Sequence, residues 1–325
     1  MEKLPSCGKI LATMSDAQEM WLGPASGAGE GVEECWMNLD GARMRYLYAG
    51  SGPGLILLHG LFGYSFSWRY AMPALAPYAT VYAPDLLGAG FSDRPRGLDH
   101  SMRATALRVL QFADNLGLET FDLLGTSRGG AVATAVAAEG INGDKGAKRR
   151  VRRLVLVCPV NPYSPHGRWL APLLGTRPFA DLFLWVMNHM PFLYPYFHGR
   201  LYADRSRIPP GSLEGYKAPL AIPGLFEHGV GIASTWTADL SELKTLLPKL
   251  ASIPALLMWG SKDPAVYVSS MEPLARHFAN VEKIVFPGIG HLPYEECPAE
   301  FNQALVEFLT GVRGTSGASL PLRSV

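Results

Sequence analysis

A serine at position 127 stands where a hydroxyl can be turned into a nucleophile. Gly125-Thr126-Ser127-Arg128-Gly129 follows the short apolar run Phe121-Asp122-Leu123-Leu124 and precedes an alanine-rich, helix-prone stretch over 130–138. A serine on a glycine-flanked turn between strand and helix is the pattern of a nucleophile elbow. Such a turn is tight and its serine backbone strained, so small neighbours are required. The hydroxyl is then held clear of the sheet, beside the first amides of the next helix. A serine hydroxyl is a poor nucleophile near neutral pH, and it needs a base within hydrogen-bond reach and a third group to orient that base. Asp263 and His291 suit those roles. Asp263 follows the apolar run Ala255-Leu256-Leu257-Met258-Trp259 by a few loop residues, and His291 follows Val281–Phe286 after Pro287-Gly288-Ile289-Gly290. All three residues fall just past strand-like runs, at the edge where open α/β sheets place their ligands.

The elements that must position them alternate between strand and helix. Cys35-Trp36-Met37-Asn38-Leu39, a turn at Asp40-Gly41 and the alternating run 42–49 read as a hairpin. Leu55-Ile56-Leu57-Leu58-His59 is a continuous apolar run, typical of a strand covered on both faces. Residues 67–75 read as a helix, 80–83 as a strand, 102–116 as an amphipathic helix with Leu107, Leu110 and Phe112 inward, 154–157 as a strand and 301–309 as a closing helix. Together these imply a mostly parallel eight-stranded sheet with an antiparallel start and helices on both faces. The exception is 161–245, which holds thirteen of the thirty-four aromatics, among them Phe179, Trp185, Phe197 and Trp236, and nothing that reads as a buried strand. It is expected to be a mainly helical insertion over the edge where the strands end. The expected division is a loose N-terminal arm (1–34), a core (35–160 and 246–312), a helical cap (161–245) and a C-terminal tail (313–325).

Composition narrows the function classes. Charged residues make up 18% of the 325 residues and the formal net charge is +1, which argues against a broad basic surface for nucleic acid. The cluster Lys145, Lys148, Arg149 and Arg150 reads as a solvated turn. The four scattered cysteines, Cys7, Cys35, Cys158 and Cys297, indicate neither a disulfide framework nor a zinc site. No sustained apolar segment follows Lys3 and Lys9 as a signal peptide would need, and no apolar run is long enough to span a membrane. The expectation is a cytoplasmic protein without membrane contact. The elbow lacks the Gly-Lys-Ser/Thr ending of a phosphate loop, and no His/Cys/Asp cluster has metal spacing, so neither cofactor nor metal is expected.

Five motifs occur in an order that resembles the α/β-hydrolase family: His59-Gly60-Leu61-Phe62-Gly63, the run Pro84-Asp85-Leu86-Leu87-Gly88-Ala89-Gly90-Phe91-Ser92, the elbow, Trp259-Gly260-Ser261-Lys262-Asp263-Pro264 and Gly288-Ile289-Gly290-His291. The resemblance covers about 36–312 apart from the detail of the insertion. It implies the α/β-hydrolase fold, with Ser127 as nucleophile, Asp263 as acid, His291 as base and an oxyanion hole from the backbone N–H groups of Leu61 and Arg128. Phe62 replaces Leu61 if the loop register differs by one, and Asp239 is the alternative acid. His59 is expected to be structural, and His100, His166, His189, His198, His228 and His277 lack a matching context. Arg128 departs from the family habit of an uncharged residue after the serine. Its side chain is expected to pair with Asp85 or Asp93, the alternative being a contact with a substrate carboxylate. Asp85 is expected to organise its loop, and Glu295 and Glu296 to anchor the last helix. The aromatic insertion is read as a lid over an apolar acyl or alcohol pocket. A serine where similar epoxide hydrolases and haloalkane dehalogenases have an aspartate argues against those two activities. The expected function is a serine hydrolase that cleaves a carboxylic ester of a small or medium apolar substrate. A carbon–carbon bond hydrolase of diketone-like compounds, a haloperoxidase-like member, an acyltransferase and a non-enzymatic ligand receptor are the alternatives.

Overall fold

The computed structural model describes residues 31–39, 41–141, 149–165 and 170–312. The expected arm up to residue 30, the tail from 313, Asp40, Lys145, Lys148, His166 and Trp169 lie outside the described residues.

Leu55 to Leu58 are fully buried, as a strand sandwiched between helices must be, and they form the middle of β3 (Gly54–Leu58). Around it an eight-stranded sheet has the order β1-β2-β4-β3-β5-β6-β7-β8, with β1 (Val32–Leu39), β2 (Ala42–Ala49), β4 (Thr80–Pro84), β5 (Phe121–Thr126), β6 (Val151–Val157), β7 (Ala255–Gly260) and β8 (Val281–Phe286). β1 pairs antiparallel with β2, and β2 with β4; every later pairing is parallel. β1 starts three residues before Cys35, so residues 32–34 belong to the sheet and not to the arm.

Register aligns the ends that matter. Leu58 lies opposite Gly125, Thr126 opposite Val157, Val157 opposite Met258 and Gly260 opposite Phe286. The loops that leave these residues therefore open on one edge, and they carry His59, Ser127, Asp263 and His291. Parallel pairing causes this, because parallel strands all finish on the same side.

Helices surround the sheet. α1 (Ala71–Leu75) packs on α11 (Pro298–Thr310), and α2 (Met102–Asn115) packs on α3 (Arg128–Glu139). The helix expected over 67–75 is broken: a 3-10 turn, Ser65–Trp68, precedes α1. In α2, Ser101 caps the N-terminus by accepting from Ala104 N–H, and Met102, Ala106, Val109, Phe112 and Ala113 face inward. Leu107, expected inward, is 49% exposed, because the buried stripe runs through Met102, Ala106, Val109 and Ala113 and leaves position 107 on the outer side. Between β6 and β7 come α4 (Leu170–Leu174), α5 (Phe179–His189), α6 (Leu193–Gly199), α7 (Ser212–Lys217) and α8 (Leu225–Leu246). Two short helices, α9 (Met271–Ala275) and α10 (Pro293–Glu296), complete the set. Among the described residues Cys158 and Cys297 are free thiols. No described helix is long and apolar enough to cross a membrane.

Candidate active site

Ser127 is the first residue after β5 and sits at φ 51°, ψ −122°. A side chain in that region costs roughly 1–3 kcal/mol and persists only where its surroundings impose it. They do so here. Ser127 N–H donates to Val157 O, while its carbonyl accepts from the N–H groups of Gly130, Ala131 and Val160. The flanking glycines are steric requirements. A Cβ on Gly125 would stand 2.3 Å from Gly129 O, and one on Gly129 2.3 Å from His59 O and 2.5 Å from Leu58 O. Those atoms are backbone and have nowhere to go. Gly129→Ala is accordingly expected to lose about 1–3 kcal/mol, read as a lower urea midpoint at unchanged slope. An unmoved midpoint would contradict so close a crossing.

The loop after β3 runs alongside the serine: a Cβ on Gly60 would come 3.1 Å from Ser127 Cβ. Its turn is closed by Gly63 N–H donating to Gly60 O, and it places Phe62 at φ 58°. His59 is buried, with Nδ1 against Gly60 O at 2.9 Å and Nε2 accepting from Leu86 N–H at 3.0 Å. Burial lowers its pKa, against the opposing pull of Gly60 O and Asp85. It is a neutral clasp between two loops. Asp85 accepts from Ser65 N–H, Phe91 N–H and buried Arg45, which fixes the loop after β4.

His291 and Asp263 meet from different strands. His291 Nδ1 lies 2.8 Å from Asp263 Oδ2, and Asp263 Oδ1 accepts from Ala265 N–H (2.8 Å) and Val266 N–H (2.9 Å). With Nδ1 donating, Nε2 is left as the basic nitrogen. Both residues are buried. The approach is permitted by Gly260, where a Cβ would fall 1.9 Å from Gly290 O. Glu296 holds the histidine loop from below. Its carboxylate accepts from Gly290 N–H at 2.7 Å and Ala203 N–H at 3.1 Å, while His291 N–H donates to Leu201 O. Glu296 thus ties the histidine loop to the segment after α6 instead of anchoring the last helix.

Glu295 also departs from that expectation. It is buried against Arg69 of the sheet side and against Tyr202, Ser212 and Tyr216 of the β6–β7 excursion. Asp239, the alternative acid, belongs to α8. Its oxygens accept from Met102 N–H and Thr235 Oγ1, and it faces Arg128, not His291. Arg128 pairs with this residue: Nη2 is 3.7 Å from Asp239 Oδ2 and donates to His100 O at 2.7 Å. The expected partners are taken, Asp85 by Arg45 and Asp93 by Arg43.

Cys158, one residue past β6 at φ 44°, brings Sγ within 4.8 Å of ligating atoms of Asp263 and His291. Sequence spacing could not reveal this cluster, since Cys158 lies more than a hundred residues before both Asp263 and His291. Burial, reinforced by the Asp263 charge, pushes the Cys158 thiol up and keeps it protonated, a poor state for holding a metal.

Two chambers meet at the serine. One, of about 390 Å³, is lined by Gly60, Ser127, Tyr194, His198, Tyr216 and His291 among others, so His198, set aside in the sequence, faces the same space as His291. The other, of about 260 Å³, is lined by Ser127, Arg128, Val160, Ile232, Trp236 and Val266 among others. Leu61, Phe62, Ser127, Phe183 and Ala265 border both. The walls are mostly apolar, as in a small-molecule site.

A family model described as alpha/beta hydrolase fold matches residues 53–298. Haloalkane dehalogenase 2 of Mycobacterium bovis is 29% identical over 288 residues, 85% of this chain and 94% of that protein. The 2-hydroxymuconate semialdehyde hydrolase of Pseudomonas sp. strain CF600 is 28% identical over 268 residues, 80% of this chain and 84% of that one. Among solved structures, Cfl2 of Burkholderia cenocepacia superposes with a TM-score of 0.74 at 20% identity, covering 89% of this chain and 98% of that one, a likeness of fold.

Proposed function

The chain belongs to the alpha/beta hydrolase fold family, and from that premise we propose that it is a serine hydrolase cleaving a carboxylic ester of a small or medium apolar substrate. Ser127 attacks the carbonyl while His291 Nε2 takes its proton. Asp263 fixes the imidazole tautomer and stabilises the imidazolium. The N–H groups of Leu61 and Arg128 receive the oxyanion. His291 returns the proton to the leaving alcohol, and water then releases the acid from the acyl-enzyme with His291 again as base. The helices within 161–245 act as the cap, and the core is 35–160 with 246–312. The observation that carries this reading is the buried His291–Asp263 pair opening, with Ser127, on an apolar chamber that continues into a second one on the other side of the serine. An ester has two arms about its carbonyl, and two chambers about a nucleophile suit it.

The test is twofold. A fluorophosphonate probe should label the wild type and not Ser127→Ala, and p-nitrophenyl esters of rising chain length should be hydrolysed up to the length the chambers hold. Absence of labelling in the wild type would remove the acyl-enzyme. The hydrolase of 2-hydroxymuconate semialdehyde among the relatives favours a second reading, hydrolysis of a carbon–carbon bond beside a ketone. Turnover of vinylogous diketones with inert esters would select it.

A further inference from the structure

The two chambers touch different sides of the chemistry. His291 and its neighbour Leu292 border the larger chamber and not the smaller, whereas Arg128 borders the smaller and not the larger. Nδ1 of His291 is held by Asp263 at 2.8 Å, so the nitrogen that moves protons is Nε2. An imidazolium formed there must come within about 3 Å of the oxygen that leaves. That oxygen, and the arm behind it, therefore lie on the side of the larger chamber. The water that follows must meet the same nitrogen, and it enters the space the alcohol has vacated. The acyl arm stays on Ser127 through both steps and is left with the smaller chamber.

The walls differ as well. Tyr194, Phe197, His198, Tyr216, Phe226 and Tyr294 border the larger chamber, of about 390 Å³, and not the smaller. Several of these rings already lie against one another. His198 stacks on Tyr194 and stands 4.7 Å from Tyr216 between centroids, while Phe226 meets Phe62 edge-on at 5.8 Å. In the smaller chamber, of about 260 Å³, Trp236 is the one unshared aromatic among the described residues. The large side chains around it are aliphatic, Val160, Leu174, Ile232 and Leu240. Edge-on and offset contacts between rings add to what their burial alone provides. A guest ring gains them in the first chamber far more than in the second.

We infer that the larger chamber receives the alcohol arm and the smaller the acyl arm. The substrate class is then an aliphatic carboxylic acid esterified to an alcohol that carries an aromatic ring. This deepens the serine-hydrolase reading and rests on it.

Two isomeric esters read the assignment directly. 2-Phenylethyl acetate and methyl 3-phenylpropanoate carry the same groups with the ester reversed, and the first should exceed the second in kcat/KM by about threefold or more. 2-Phenylethyl acetate should exceed 2-cyclohexylethyl acetate by a similar factor, an advantage that methyl 3-phenylpropanoate should lack over methyl 3-cyclohexylpropanoate. Phe226→Leu, which takes a ring from the larger chamber, should bring the phenyl-to-cyclohexyl ratio of the acetates towards one. Leu240→Ala, which deepens the smaller chamber, should lengthen the acyl chain accepted in methyl alkanoates more than the alkyl chain accepted in acetates. Each readout is a ratio within one protein, so a partly folded variant does not mimic it. Equal rates for the reversed pair, the opposite preference, or a Leu240→Ala effect confined to the acetates overturns the inference. A crystal structure of the wild type with pentylboronic acid on Ser127, the alkyl group taking the acyl position, reads the assignment without turnover. The pentyl group should occupy the smaller chamber. That placement in a protein that hydrolyses no ester would keep the assignment and sink the ester reading. A pentyl group in the larger chamber would overturn the assignment even in an active esterase. No adduct and no hydrolysis would remove both.

Discussion

Ser127→Ala is expected to lower kcat/KM for a p-nitrophenyl ester by about 10⁴-fold or more, with the folded state nearly unchanged. On the serine-hydrolase reading the rate falls so far because the hydroxyl is the attacking atom and gives its proton to His291. Stability should move by about 0.5 kcal/mol or less, since alanine adopts the φ of 51° no worse than serine does and the backbone bonds to Val157, Gly130 and Val160 remain. His291→Ala should cost nearly as much, and the double variant hardly more than either, because nucleophile and base act as one unit. Asp263→Asn leaves a hydrogen bond but supplies an amide that can favour the wrong tautomer, and should fall by about 10⁴-fold as well. Additive losses along this series, each variant multiplying the last, would show three independent residues and not a relay. So would a Ser127→Ala protein that keeps a tenth of the activity.

Ser127, Asp263 and His291, the residues proposed for the relay, stand out in the sequence because each follows an apolar strand directly or within a few loop residues, and strand direction is written in local pattern. Ser127 follows 121–126, Asp263 follows 255–260 and His291 follows 281–286; once the sheet is parallel, their loops must open on one edge. What escaped the sequence is what depends on long-range pairing. Arg128 was matched to acids of the neighbouring loop, whereas its partner, Asp239, lies on a helix more than a hundred residues away, in the excursion whose path no local periodicity encodes. Leu107 reads as inward because leucine is the stronger hydrophobe, yet the buried face of α2 is Met102, Ala106, Val109, Phe112 and Ala113. Cys158 looked like an isolated thiol until β6 and β7 were side by side. The chambers were legible only as an aromatic surplus, since which aromatic lines them is decided by the packing of α5, α6 and α8.

The same long-range logic makes Arg69 the position with the largest expected effect on stability. Its guanidinium meets Glu295 through two bonds, Nη1 to Oε1 at 2.6 Å and Nη2 to Oε2 at 2.8 Å, and both residues are buried. The carboxylate also accepts from Ser212 Oγ (2.6 Å), Tyr216 OH (2.7 Å) and Tyr202 OH (2.8 Å). Arg69→Met removes the only cation in this list and leaves a buried carboxylate held by hydroxyls alone, a loss of about 3–5 kcal/mol. For a chain of this size the melting temperature should drop by roughly 5–15 °C. The pH dependence fixes the cause. Burial alone would push the Glu295 carboxyl up, but the charge and hydrogen bonds of Arg69 prevail and hold it below its ordinary range. A depressed carboxyl contributes stability above its unfolded value, about 4.3, and loses it as pH falls through the folded value. In Arg69→Met the carboxyl rises instead, and protonation relieves the buried charge. The deficit of the variant should therefore be full at pH 7 and shrink as pH drops below about 5. Arg69→Met combined with Glu295→Leu should recover much of it at pH 7, because neither charge is then buried alone. Melting curves of wild type and single variant that stay parallel from pH 8 to pH 4 would assign the loss to packing. Tyr202 directly follows Leu201, whose carbonyl receives His291 N–H, and Tyr216 lines the larger chamber. The ion pair, with the excursion's hydroxyls gathered on Glu295, thus also bears on where His291 and the chamber wall stand, and Arg69→Met should lower kcat/KM even at temperatures where the protein remains folded.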